Sequence, residues 1–365
     1  MEDNKIPRQQ RILVVNPRTC FTKVAIYDEN KLVYLNKIQH SPAECGKYER
    51  IIDQYDFRRE AVLKELRNAD FDTWRITAVV GRGGMLKPVK SGVYEVNEKL
   101  KYDLIHTPTG EDSVNLGALL ADDLARSVEN AKAYIADPIV VDEMDEVAKI
   151  GGHPDFPRKS VFHALNQKAA ARKYAKSILK KYEDINLIIA HMGVGITVGA
   201  HSKGRVIDVN QGFDGTGPFS PKRSGTLPAG DLVRMCFSGK FSEEQILRKV
   251  MGEGGLMAWF GTEDLSLVET MAFEEGSEKA RLVFEAMAYN VAKEIGSLYP
   301  VLNCDVDAII LTGGIANSHR FIEYIINRVK KMAPVMVYPG GDEMEALAMN
   351  VLEVLRGHKV AHVYE

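Results

Sequence analysis

The stretch HMGVGITVGAHSKGRVIDVN, His191 to Asn210, follows the apolar run Leu187-Ile188-Ile189-Ala190, and its reading decides the fold. β-Branched residues fill the runs around two turns, GVG and SKG. The segment therefore predicts a strand, a tight glycine turn, a strand, a hairpin turn and a third strand. Glycines at the end of a buried strand admit a close neighbour, because they carry no Cβ and tolerate unusual backbone angles. That neighbour is either another backbone or a ligand.

The same rhythm occurs near the N-terminus. ILVVNPRTCFTKVAIYDENKLVYLN, Ile12 to Asn36, also reads as an apolar strand ending in a polar residue, a short loop, a strand, a tight turn and a strand. The two segments are not similar in sequence, so the repetition is one of architecture. Each meander leads into alternating helices and strands. Apolar periodicity predicts helices at 44–68 and 113–129 and strands at Ile76–Gly84 and Ala131–Pro138. A long helix is predicted at 163–182, with Lys168, Arg172, Lys173, Lys176 and Lys180 on a solvated face. After the second meander come helices at about 228–237, 242–252, 277–299, 317–331 and 342–356. Strands at Asp307–Gly314 and Val335–Gly341 lie among them. The chain thus reads as two α/β halves, each opening with a meander.

Composition sets limits on this picture. A length of 365 residues suggests two cores, and 45% hydrophobic with 27% charged residues is ordinary for a globular chain. A net charge of −3 argues against nucleic acid as the main partner, since phosphate backbones demand a basic surface. Cys20, Cys45, Cys236 and Cys304 show no metal-ligand spacing and read as reduced thiols. The polar opening MEDNKIPRQQR is no secretory signal, and no apolar run has the roughly 20 residues of a membrane span. A cytoplasmic protein with no membrane partner is expected.

An ATP phosphate tail needs close approach to backbone N–H groups, which glycine permits. Asn16, Thr19 and Thr22 would supply one phosphate loop; His191, Gly193, Gly195 and Thr197 would supply the other. GVGITVG departs from the dinucleotide fingerprint, because Val198 occupies the third-glycine position and a strand follows. No GxxxxGK[ST] occurs, so a P-loop is excluded. Thr312-Gly313-Gly314-Ile315-Ala316-Asn317 ends a strand and opens a helix, where glycines let an adenosine moiety lie against the backbone.

These segments, in this order, resemble the acetate and sugar kinase/Hsp70/actin superfamily. Within it they resemble the acetate kinase-like carboxylate kinases, the butyrate-kinase family most of all. VVNPRTCFTKVAIYD, VVGRGGMLKPV, NLGALLADDLA, RKSVFHALNQKAAARKYA, HMGVGITVGAH, FDGTGPFSPKRSG, LTGGIANSHRF and VYPGGDEMEALAM carry the resemblance across almost the whole chain. It implies an α/β fold of two ribonuclease H-like domains around a central active-site cleft. The expected domains are 1–140 with 344–365, and a nucleotide-binding domain at 141–343. It also implies reversible transfer of the ATP γ-phosphoryl to butyrate or a related short or branched-chain fatty acid, giving an acyl phosphate and ADP. A homo-oligomer is expected.

A carboxylic acid is already ionised at pH 7, so the nucleophile needs no general base. The obstacle is charge: one anion must approach another, which calls for Arg, His and Mg²⁺. By resemblance, Arg223 of the RSG motif holds the carboxylate or the moving phosphoryl, and Arg82 falls near a carboxylate-binding arginine. His163 matches a histidine that contacts the phosphoryl group, and His191 lies in the HxGxG context. Asp137 matches an aspartate that orients the arginine or the magnesium waters, and Glu343 matches a glutamate associated with Mg²⁺. Val194 replaces a common glycine, Asp112 stands where a histidine is usual, and Pro17-Arg18 follow the butyrate-kinase pattern. The alternatives are an acetate or propionate kinase, a polyphosphate phosphatase of the same fold, and a non-enzymatic Hsp70- or actin-like ATP-driven module.

Overall fold

The computed structural model describes residues 9–69, 71, 73–106, 111–341 and 343–365. The first eight residues of the polar N-terminus, and Asp342 at the head of the expected last helix, lie outside the described residues. The chain forms two compact units, Met1–Val141 with Asp342–Glu365, and Asp142–Gly341.

In the first unit the meander is β1 (Arg11–Arg18), β2 (Phe21–Asp28) and β3 (Lys31–Gln39). β4 (Ala78–Arg82), β5 (Val93–Glu95) and β6 (Lys132–Ala136) complete a six-stranded sheet of order β3-β2-β1-β4-β6-β5. β4 lies parallel to β1 and to β6. Leu13, Val15, Val24 and Ile26 pack with Val62, Leu116, Leu120 and Leu124 from helices Tyr55–Asn68 and Leu116–Arg126. Gly81 and Gly117 let the second helix meet β4 backbone to backbone. A Cβ on Gly81 would lie 2.0 Å from the Gly117 carbonyl oxygen.

The second unit repeats the plan. β7 (Asn186–Met192), β8 (Ile196–Ser202) and β9 (Arg205–Val209) form its meander. β10 (Ala308–Gly313) and β11 (Val335–Pro339) extend it in the order β11-β10-β7-β8-β9. β7 is buried along its whole length, so its apolar residues run on without alternation. Helix Ala164–Ser177 covers one face through Ala171, Tyr174 and Ala175. Helices Glu278–Leu298 and His319–Val329 cover the other, where Phe284 and Phe321 meet edge to face at 5.4 Å.

Several expectations need correction. The helix expected at 44–68 is two helices, Pro42–Cys45 and Tyr55–Asn68, with a 3₁₀ turn at Ile52–Gln54. A capping box between Ser41 and Glu44 starts the first, and Gly46 caps it. The helix expected at 163–182 ends at Ser177, shortly before Leu179 adopts φ +55°. Lys168 is not on a solvated face. It is 2% exposed, and its Nζ lies 2.8 Å from a Glu143 carboxylate oxygen and donates to the Gly204 carbonyl. Helices Glu98–His106, Leu256–Phe260 and Leu265–Phe273 carried no expectation. No helix of the described residues is long and apolar enough to cross a membrane.

Candidate active site

The first unit gathers polar groups at the ends of β1 and β4. Asn16 is fully buried within β1, and its Nδ2 donates to Oε2 of Glu343 at 2.7 Å. Its Oδ1 accepts no hydrogen bond among the described residues. Glu343 opens helix Glu343–Leu355, where the helix dipole favours an acid. Its other oxygen faces two guanidinium groups: Arg18 donates to it, and Nη1 of Arg82 lies 2.5 Å away in a charge contact with no aligned hydrogen bond. Burial, and then the nearby Arg18, push the Arg82 pKa down, while Glu343 opposes them. Two arginines against one carboxylate leave a positive centre suited to an anion.

Other expected residues of this unit occupy different places. Thr22 is fully buried; its Oγ1 lies 2.9 Å from Nε2 of His40 and accepts from Arg58, so it lies within the fold and not on an open phosphate loop. Thr19 is exposed in the β1–β2 turn, and its carbonyl accepts from Arg58. Asp137 follows β6 with φ +39°, and its Oδ1 accepts from Ser91 Oγ at 2.6 Å and from the Gly92 N–H at 3.0 Å. Asp112, to which no role was carried, caps the turn at Ser113–Asn115.

In the second unit the loop 211–225 folds against the GVG turn. Ser220 Oγ donates to the Val194 carbonyl at 2.7 Å. Arg223 donates to the Gly212 carbonyl, and its guanidinium lies 5.4 Å from the Phe213 ring centroid. A Cβ on Gly195 would come within 3.3 Å of Arg223 Nε, so glycine here lets the guanidinium lie close on the turn. The His163 and His191 rings stack at a tilt, with centroids 4.4 Å apart. Thr197, expected on the phosphate, is buried and contacts Nδ1 of His163 at 2.9 Å.

A cleft of about 830 Å³ opens beside this group, within the range typical of small-molecule sites. Gly193, Gly314, Ile315 and Asn317 all line it. Thr312 and Gly313 lie behind it. Thr312 Oγ1 donates to the Gly340 carbonyl, and Gly313 exchanges two backbone hydrogen bonds with Gly340. Gly313 has φ +96°, and a Cβ there would stand 2.2 Å from the Met192 carbonyl oxygen. Gly314 differs: a Cβ would meet nothing within 4 Å. Gly313, behind the wall, is thus required by the packing, while Gly314, on the wall, faces open space.

Sequence reasoning missed the buried Gln167 and His201 behind Thr197. Both lie in segments that carry the family resemblance, but neither residue is singled out by its own helix or strand pattern. It missed Glu269 too, which accepts from Ser318 Oγ at the cleft wall at 2.7 Å.

Residues 156–337 match the acetokinase family. Butyrate kinase 1 of Clostridium acetobutylicum is 50% identical over 97% of this chain and 99% of its own length. Butyrate kinase 2 of the same organism is 48% identical over the same shares. Among solved structures, Porphyromonas gingivalis acetate kinase superposes with a TM-score of 0.75 at 18% identity, covering 95% of this chain and 100% of its own. A propionate kinase from Francisella tularensis subsp. tularensis SCHU S4 gives 0.73 at 18% identity, covering 93% and 98%. The fold is therefore the two-domain fold of these kinases.

Proposed function

The chain belongs to the acetokinase family, and from that premise we propose that it transfers the γ-phosphoryl of ATP reversibly to butyrate or a related short-chain carboxylate, giving acyl phosphate and ADP. The observation that carries this reading is the second unit's cleft. Four residues expected to touch nucleotide line it, and Arg223 with the His163–His191 pair lies by the same glycine turn. The 50% identity to a butyrate kinase supports the four-carbon acid.

The nucleotide occupies this cleft, with its base and ribose against Ile315 and Asn317. Gly193 and Gly314 present backbone with no side chain to hold the phosphates away. Arg223 meets the charge that spreads over the phosphoryl oxygens as the bond to ADP loosens, where a preorganised donor acts most strongly. The incoming carboxylate is already an anion, so His163 and His191 donate hydrogen bonds to oxygen and take no proton from the nucleophile. Arg82 and Arg18 hold the carboxylate by charge. Asp137 shapes the end of β6, next in the chain after the strand partner of Arg82.

Mg²⁺ fits the residues of the first unit. Among the described residues no three His, Cys, Asp or Glu side chains cluster as ligands. Yet Mg²⁺ in phosphoryl-transfer sites needs only one or two protein oxygens beside water and phosphates. The unsatisfied Oδ1 of Asn16 is such an oxygen, and Glu343 beside it, whose oxygens already meet Asn16, Arg18 and Arg82, would reach the ion through water. Mg²⁺ that accompanies the nucleotide would neutralise phosphate charge.

We also take the protein to be cytoplasmic and homo-oligomeric. Its four cysteines are free thiols, which suits a reducing compartment. Helix Ala229–Cys236 buries none of its side chains and exposes Val233 and Met235.

Hydroxylamine trapping of the acyl phosphate tests the proposal. The purified protein with MgATP is offered acetate, propionate, butyrate, isobutyrate and valerate. The four-carbon acids are expected to dominate, an acetate-dominated signal would make it an acetate kinase, and no hydroxamate from any acid would refute the kinase reading.

A further inference from the structure

We infer that a buried hydrogen-bond chain, Tyr182–His201–Gln167–Thr197, fixes the tautomer of His163 and makes its Nε2 a permanent hydrogen-bond donor. Gln167, Thr197 and His201 are positioning residues that act through His163, and the inference rests on the kinase reading for what that donor meets.

The direction of each bond follows from groups that can act in only one way. Gln167 Nε2 lies 3.1 Å from the Thr197 main-chain carbonyl, which can only accept, so the amide nitrogen must face Thr197. The same nitrogen donates to Thr197 Oγ1 at 2.9 Å. The amide oxygen of Gln167 therefore faces His201, whose Nε2 lies 2.9 Å away and must be the protonated nitrogen. The other ring nitrogen of His201 accepts from Tyr182 O–H at 2.7 Å. This requires a neutral His201. Full burial holds its pKa well below the usual histidine value, helped by the charges of Lys168 and Arg172.

Thr197 Oγ1 also receives the backbone N–H of His163 at 3.4 Å. Both of its acceptor positions are then filled, by His163 N–H and by Gln167. Its one hydrogen is left for His163 Nδ1, 2.9 Å away. His163 Nδ1 is thus an acceptor, and in the neutral ring the proton resides on Nε2.

The packing preserves this chain. A Cβ on Gly199 would press to 2.6 Å from Gln167 Oε1, and one on Gly212 to 2.3 Å from Thr197 Cγ2. Gln167, Thr197 and His201 are each at most 1% exposed. Such a chain pre-sets a donor, so no proton or ring need rearrange when a phosphoryl oxygen arrives.

The test is a long-range ¹H–¹⁵N spectrum of the full chain labelled at histidine, taken without substrate, with His163 assigned by its loss in H163N. The spectrum of a neutral Nε2–H ring is expected, and an Nδ1–H ring would overturn the inference. Thr197→Val should mix the tautomers and lower kcat about 10–100-fold, by analogy with the loss of a partner that orients a metal-ligating histidine, with little change in KM. Thr197→Ser should restore both the spectrum and the rate. An unchanged kcat or tautomer in T197V would also overturn it. The spectrum is read without turnover, so its failure is distinct from failure of the kinase reading, which hydroxamate trapping decides.

Discussion

Nη1 of Arg82 stands 2.5 Å from Oε1 of Glu343, although one ends the fourth strand and the other opens the last helix. Both side chains are largely removed from water, at 5% and 13% exposure. Breaking such a pair leaves an uncompensated buried charge, at a cost of about 3–5 kcal/mol. Glu343→Gln should therefore destabilise the first unit by about 3 kcal/mol as well as depress turnover. Denaturant unfolding measures the first effect, and an unchanged midpoint would show that Arg82 does not depend on Glu343.

Arg223 has a different balance. It is half-buried, donates to the uncharged Gly212 carbonyl and lies against the Phe213 ring, so its loss strands no charge on these two partners and the fold should tolerate it. Arg223→Ala should lower kcat/KM by about 10²–10³, as for other preorganised donors to developing charge, with a nearly unchanged Tm. Steady-state kinetics with butyrate, beside a thermal melt, checks both halves.

Gly313, behind the cleft wall, and Gly314, on it, should part company. Gly313→Ala forces a side chain into φ +96° and against the Met192 carbonyl, so the loss should be one of stability. Gly314→Ala strains nothing in the chain, so the Tm should hold while the KM for ATP rises several-fold. A Tm loss in G314A with no change in KM would remove Gly314 from the nucleotide site.

A pH dependence follows from His40. Burial, and then the charge of Arg58, push its pKa down to about 4 in the fold. The unfolded chain takes up a proton near pH 6.5 that the native state refuses until about pH 4. This contribution to stability is fully present above pH 6.5 and fades as the pH falls towards about 4. Urea midpoints across that interval should decline in the wild-type protein and decline less in His40→Gln.

Both meanders were legible because β-branched runs and Gly or Asn turns encode strands locally, and of the late TGG only Gly314 lines the cleft. What could not be read was set by contacts distant in sequence. Lys168 looks solvated until Glu143 is brought against it, and Thr22 looks like a phosphate ligand until Arg58 and His40 close over it. The Glu343–Arg82 pair and the chain behind His163 likewise join elements that no local pattern connects. Arg82, Glu343 and His163 are named in the sequence by resemblance to carboxylate kinases and not by any spacing of their own.

The most direct test of carboxylate phosphorylation is ³¹P NMR of the wild-type protein with MgATP and butyrate. An acyl-phosphate resonance should grow as the γ-phosphoryl resonance declines and ADP appears in equal amount. ATP left intact, or converted to ADP and inorganic phosphate with no acyl phosphate at any time, would contradict it.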